Sequence, residues 1–423
     1  LVFVLSRLAR RASLRLPFGV SMPGWFSRVR RGAGRYLPIL LLCGLISGCS
    51  AISRLAAVPE GQTSEATVYG IQNARYILDT NRPTALIAEL QRARERESAA
   101  ARQETGKAAN YLAISGGSDN GAFGAGLLIG WTERGDRPTF NAVTGVSTGA
   151  LTAPFAFLGS EYDRSLTELY TNITSGDIFQ RRPALVALMS DAAADSAPLR
   201  GLITRYVDDG MIDRIALEYD RGRLLFVSTA NLDAAKPVIW NIGAIAASRH
   251  PKARELIVRI LLASASIPGL FPPVMFDVGI GGTTFQELHG DGGALAQVFL
   301  YPPSVALARD RRSGAANRKR TAYIIRNGRA SAEWKQVDPS TLPLAQRAVS
   351  TLTTSSAIGD LYRIFATTRR DGVSYRLALI EDDFTDPYKT PFDREYMTSL
   401  FEHARAKAKA GFPWRAAPPG FAQ

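Results

Sequence analysis

A serine held between glycines, GVSTG at 145–149, follows the apolar run FNAV at 140–143 and leads into a stretch with helical spacing. Glycines two residues either side of Ser147 allow a sharp strand-to-helix corner without side-chain clashes, which is the setting of a nucleophilic hydroxyl. Upstream, SGGSDNGAFGAG at 115–126 follows the apolar run YLAI at 111–114. It reads as a second strand–turn–helix corner, whose free backbone N–H groups and helix start can face a developing negative charge. Far downstream, ELHGDGG at 287–293 offers Asp291 in front of two glycines. Nucleophile, anion hole and base are the parts of an acyl-transfer site.

Each motif has a blander reading. A serine in a glycine turn is often only a turn, and an Asp before glycines often only caps backbone N–H groups. The first loop resembles a phosphate or dinucleotide cradle, but no Lys-Ser/Thr follows it and its glycines do not fall as GxGxxG at the turn. Asp136 lies in the polar turn ERGDRP rather than at a strand end.

The base is the open question, since the chain has three histidines: His250, His289 and His403. His250 opens a helix and His403 sits in FEHARAK, both reading as surface. His289 stands two residues before Asp291. Against a histidine, an aspartate base starts about 2.6 pK units low, roughly 3.5 kcal/mol. Burial in a water-poor corner raises a carboxyl by up to about 3–5 units and closes that gap. Two enzyme readings therefore stand: a Ser147–Asp291 dyad, and a Ser147–Asp291–His403 triad of α/β-hydrolase type, which fits the chain order.

The elements that must position these residues are legible from hydrophobic periodicity. Strands are expected at 111–114, 140–144, 224–229, 237–241 and 322–326, alternating with helices at 122–134, 149–158 and 252–265, a pattern of a sheet with helices on both faces. Residues 341–412 add a helix, a strand near 374–380 and the helix YMTSLFEHARAKAKA, and residues 411–423 read as a frayed tail. The stretch 178–215 reads as a surface helical insertion or a cap over the site. Apolar stretches LTAPFAFL at 151–158 and IPGLFPPVMF at 267–276 are core, with an acyl-chain channel as the functional alternative.

Taken in order and spacing, SGGSDNGAFGAG, GVSTG and DGG resemble the patatin-like phospholipases, as does the intervening SASIPGLFPPV at 264–274. The resemblance covers about 107–330. It implies a three-layer α/β/α fold with a mostly parallel central sheet. It also implies a Ser-Asp dyad of Ser147 as nucleophile and Asp291 as general base, with an oxyanion hole at Gly116, Gly117 and Ser118. The expected substrate is a lipid ester, and no metal or cofactor is implied. Two positions depart from the family: Ser118 replaces a third glycine, and Asn120 replaces the usual Arg or Lys. Those departures leave room for a reading from another class, a lipoprotein scaffold with a decayed site.

The N-terminal residues read as export and anchoring. The formal net charge of +13 falls to +5 when residues 1–48, with eight Arg and no acid, are set aside. The basicity is thus no argument for nucleic acid, and the mild remainder favours anionic lipid surfaces. From Met22 a basic stretch precedes the ten-residue apolar run LPILLLCGLI, too short for the roughly 20 residues of a spanning helix. ISGC at 46–49 resembles a bacterial lipobox, which makes Cys49 the lipidated first residue of a mature chain. Residues 1–48 are expected to be a removed signal with an upstream extension, 49–106 a lipidated tether and helical arm whose Arg/Glu run is a solvated face, and 107–410 the hydrolase domain, with its core motifs at 111–330. Ser50 after the cysteine favours the outer membrane, by resemblance to Gram-negative sorting. The two cysteines are Cys43 and Cys49, so the mature chain has no disulfide. RDRRSGAANRKR at 309–320 reads as a solvated loop, with steering toward anionic head groups as the alternative.

Overall fold

The computed structural model describes residues 54–77, 83–100, 108–183, 192–307, 318–330 and 336–421. The expected signal, Cys49, and most of the basic 309–320 stretch lie outside the described residues.

Eleven strands are present among the described residues: β1 Arg75–Ile77, β2 Ala109–Ile114, β3 Ala142–Val146, β4 Gln180–Arg181, β5 Ala194–Asp195, β6 Leu224–Asn231, β7 Lys236–Asn241, β8 Val274–Ile280, β9 Thr283–Asp291, β10 Arg320–Arg326 and β11 Ser374–Leu379. Nine form one sheet in the order β1-β7-β6-β3-β2-β10-β11, with β9 on β6 and β8 on β9. The run β6-β3-β2-β10-β11 is parallel throughout, whereas β1, β7, β8 and β9 join antiparallel. Parallel strands need crossover helices, and the chain supplies them.

The helices are α1 Thr84–Ala100, α2 Gly121–Arg134, α3 Thr148–Leu158, α4 Asp163–Thr171, α5 Ser175–Ile178, α6 Ala197–Tyr206, α7 Asp209–Asp220, α8 Ile242–Ala247, α9 Ala253–Ser264, α10 Thr341–Arg370 and α11 Arg394–Gly411. Alternate residues of a strand face opposite sides, so Leu112 and Ile114 pack under α2, α3, α9 and α11 while Ala113 packs with α1 and α10. The result is the expected three-layer α/β/α arrangement. Among the described residues no helix is long and apolar enough to cross a membrane.

Three local readings are corrected. Within the expected helical arm, residues 75–77 form an edge strand on β7, because their alternating burial completes that edge. The Arg/Glu run of α1 is not wholly solvated: Glu89 is fully buried and takes Arg92, Arg96 and the Tyr219 hydroxyl, each at 2.8 Å. The tail is not frayed either. Arg415 exchanges two backbone hydrogen bonds of 2.9 Å with Leu377, and Trp414 packs at 4.9 Å from Trp131.

In the 178–215 stretch the described residues are packed down rather than held away from the body. Leu199, Leu202 and Ile203 of α6 and Met211 and Ile215 of α7 are core residues, and the Ala193 and Ala194 N–H groups donate to the 269–270 backbone.

Candidate active site

The parallel register brings the C-terminal ends of β2, β3 and β10 side by side, and three loops meet there. Ser147 follows β3 and opens α3 with φ 54° and ψ −125°, a left-handed conformation that costs a non-glycine residue about 1–3 kcal/mol. The flanking glycines are needed for contact: a Cβ on Gly145 would stand 2.4 Å from the Gly149 carbonyl oxygen, and one on Gly149 2.3 Å from that of Ile114. The Ser147 N–H donates to Ser264 Oγ at 3.0 Å, and Ser264 Oγ donates to the Ser228 carbonyl at 2.7 Å. Ser264 thus ties the strained corner to β6. In sequence Ser264 stands out only as a serine at the end of an otherwise apolar helix.

Asp291 arrives from the other direction. It ends β9, which pairs antiparallel with β6 so that Asp291 lies opposite Thr229. Its N–H donates to the Ser266 carbonyl at 2.8 Å, and its Oδ1 accepts from the Gly293 N–H at 2.7 Å. The Ser147 side chain lies near enough to the carboxyl to act on its pKa. Burial pushes the Asp291 carboxyl from 3.8 up to about 6, partly offset by the Ser147 side chain and the Gly293 N–H. The carboxyl is therefore ionised at neutral pH yet far more basic than a solvated one.

The glycine-rich stretch splits into two uses. Gly116, Gly117 and Ser118 form the turn beside the serine. From Gly121 the chain is already helix, and a Cβ on Gly126 or Gly130 would stand 2.1 Å from a backbone oxygen of α11. Within the turn, the Gly116 N–H is not an available donor, because it already donates to the Gln297 carbonyl at 3.0 Å. The Gly117 and Ser118 N–H groups have no partner among the described residues. Ser118 adopts φ 54°, so this serine carries in strained form the turn that a glycine would take freely. Asn120 points elsewhere: its Oδ1 accepts from the Tyr396 hydroxyl of α11 at 2.8 Å.

Gly117, Ser118, Ser147 and Asp291 line one cavity of about 610 Å³, together with Ile267, Pro268 and Arg326. Of the two apolar stretches, IPGLFPPVMF reaches this cavity, and LTAPFAFL is α3 core with no residue lining it. None of the three histidines lines it. His289 is fully buried, with Nδ1 2.8 Å from Thr229 Oγ1 and Nε2 3.1 Å from Glu287 Oε2, and burial lowers its pKa. His403 Nε2 lies 3.5 Å from Asp383 on the outer helix α11, and His250 stacks on Tyr69. Among the described residues no group of His, Cys, Asp or Glu is arranged to hold a metal ion.

A cavity-lining hydroxyl beside a buried, basic carboxylate and two N–H groups without partners among the described residues is equipped for attack on an ester carbonyl. Residues 112–302 match the family model described as patatin-like phospholipase. No curated protein matches the chain. Among solved structures it is similar to VipD from Legionella pneumophila, at 11% identity over 72% of this chain and 67% of that one, with a TM-score of 0.35. Residues 112–302 are thus a patatin-like phospholipase domain, which indicates lipid acyl hydrolase activity.

Proposed function

We propose that the protein cleaves carboxylic esters of lipids with Ser147 as nucleophile and Asp291 as general base, through an acyl-enzyme. The observation that carries this reading is that Ser147 and the buried Asp291 carboxyl line one cavity with Gly117 and Ser118, whose N–H groups have no partner among the described residues. Asp291 takes the hydroxyl proton as Ser147 Oγ bonds to the ester carbonyl carbon. The carbonyl oxygen becomes an oxyanion facing the two N–H groups. As the intermediate collapses, the proton passes from Asp291 to the departing alcohol, and a water activated by the same carboxylate then releases the acyl group. Gly116 shapes the hole without donating to it.

Anchoring through a lipidated Cys49 in a bacterial envelope, most simply at the outer membrane, is the second part of the proposal. It rests on the basic-then-apolar leader and the ISGC ending. Labelling with a fluorophosphonate tests the enzyme reading directly. The expected result is a single adduct on Ser147, absent in Ser147→Ala; an adduct elsewhere, or none, overturns it.

A further inference from the structure

Arg326, the last residue of β10, is 5% exposed, makes no ion pair among the described residues, and lines the cavity that holds Ser147. Its Nε is buried without a hydrogen-bond partner. The nearby Asp360 carboxylate is already occupied, by Arg363 at 2.7 Å and by the Gln297 and Val298 N–H groups at 2.7 and 3.3 Å. A buried cation without a carboxylate against it is costly, and an apolar side chain of similar volume would serve the fold better. Stability alone does not account for an arginine here.

Its hydrogen bonds say what it holds. Nη1 donates to the Gly116 carbonyl at 3.2 Å and reaches Ser115 Oγ at 3.4 Å, while Ser115 Oγ donates to the same Gly116 carbonyl at 2.6 Å. The next residue, Asn327, fastens the loop again: its N–H donates to Ser115 Oγ at 2.8 Å and its Nδ2 to the Ser115 carbonyl at 2.9 Å. The Gly116 carbonyl and the Gly117 N–H are two ends of one planar, conjugated peptide group. Two donors on its oxygen, one of them charged, draw electron density from its nitrogen and strengthen its N–H as a donor. That N–H is one of the two on the cavity beside Ser147 that have no partner among the described residues. The loop brings no cation of its own, since Asn120 is turned to Tyr396.

We propose that Arg326 is a positioning residue for ester hydrolysis, which polarises the Gly116–Gly117 peptide and so strengthens the Gly117 N–H toward the oxyanion. The proposal rests on the Ser147 nucleophile. It assigns Arg326 to the tetrahedral intermediate and not to the ground-state ester, so its loss lowers kcat and leaves KM in place. Losing a whole oxyanion donor costs about 10²–10³ in kcat, and weakening one is expected to cost about 10- to 100-fold.

The experiment uses the full chain and a neutral short-chain p-nitrophenyl ester, which has no anionic group. Folded Arg326→Gln is expected to lose about 10- to 100-fold in kcat at unchanged KM, and to bind a trifluoromethyl ketone more weakly by the same factor, because the ketone's serine adduct carries the oxyanion. Should that variant not fold, Arg326→Lys reads the same relation: kcat and ketone affinity fall in proportion while KM holds. A kcat within twofold of wild type in folded Arg326→Gln overturns the proposal. So does a fall in kcat without a matching fall in ketone affinity, or a rise in KM alone. A loss confined to anionic phospholipid vesicles, with the neutral ester untouched, also overturns it and makes Arg326 a head-group contact. Ser147→Ala is run alongside. Activity surviving there shows that the nucleophile is misassigned, which is a different failure from an inert Arg326.

Discussion

Ser147, just after the parallel strand β3, and Asp291, at the end of the antiparallel strand β9, face one cavity, near enough for the serine side chain to lower the carboxyl's pKa. Both belong to one edge of β6: β3 pairs with Leu224–Ser228 and β9 continues that edge at Thr229–Asn231, while β7 takes the opposite edge. The pair is therefore held by sheet hydrogen bonds, with little left to loop flexibility.

Ser147→Ala is expected to abolish hydrolysis of short-chain esters while leaving the fold intact, since the hydroxyl holds little of the core. Ser147→Gly should do the same and raise stability by about 1 kcal/mol, because glycine takes φ 54° without strain. Urea unfolding and an ester assay check both. Retained turnover in either folded variant rejects Ser147 as nucleophile.

Asp291 links activity and stability to pH in opposite senses. Its folded pKa of about 6 lies above the 3.8 of the free group, so the folded state binds this proton more tightly than the unfolded one. Below about pH 4 that preference contributes fully, and it is lost as pH rises through about 6. At pH 7 the ionised carboxylate thus destabilises the fold by up to about 3 kcal/mol. Asp291→Asn should accordingly be more stable at pH 7 while losing about 10²- to 10⁴-fold in kcat. The wild-type kcat/KM should rise along an acid limb with an apparent pKa of about 6. A less stable Asn variant, or no limb between pH 5 and 7, contradicts this account.

The histidines separate dyad from triad. His403→Ala and His250→Ala should keep activity within about twofold, since neither side chain lines the cavity. His289→Ala removes a buried ring that bonds Thr229 and Glu287, and should cost about 2 kcal/mol of stability with less than tenfold loss of kcat. Loss on the scale of Ser147→Ala in a folded histidine variant would restore the triad.

Cys49→Ser should move the protein out of the membrane fraction with its specific activity unchanged, because no step of the proposed hydrolysis uses a thiol. Detergent partitioning equal to wild type would mean another anchor.

The sequence by itself was enough for the three motifs, their order and the alternating elements, because these depend on short-range constraints. A serine corner needs small neighbours, and strands and helices write their periods into adjacent residues. Those constraints also carried the glycine turn at 116–118, though not the loss of the Gly116 N–H to Gln297, a contact set by a distant carbonyl. Residue types and spacing alone left Asp291 and a histidine open as the base, and the family resemblance was what pointed to Asp291. His289 and Asp291 lie two apart on one strand and so share a face. Only the position of β9 along β6 puts Asp291 at the cavity and leaves His289 inside, against Trp240 and Phe276. The same holds for Arg326 and Ser264. Ser264 reaches the Ser147 N–H and Arg326 the Gly116 carbonyl through the pairing or packing of elements far away in the chain, and no local pattern around either residue announces what it will meet.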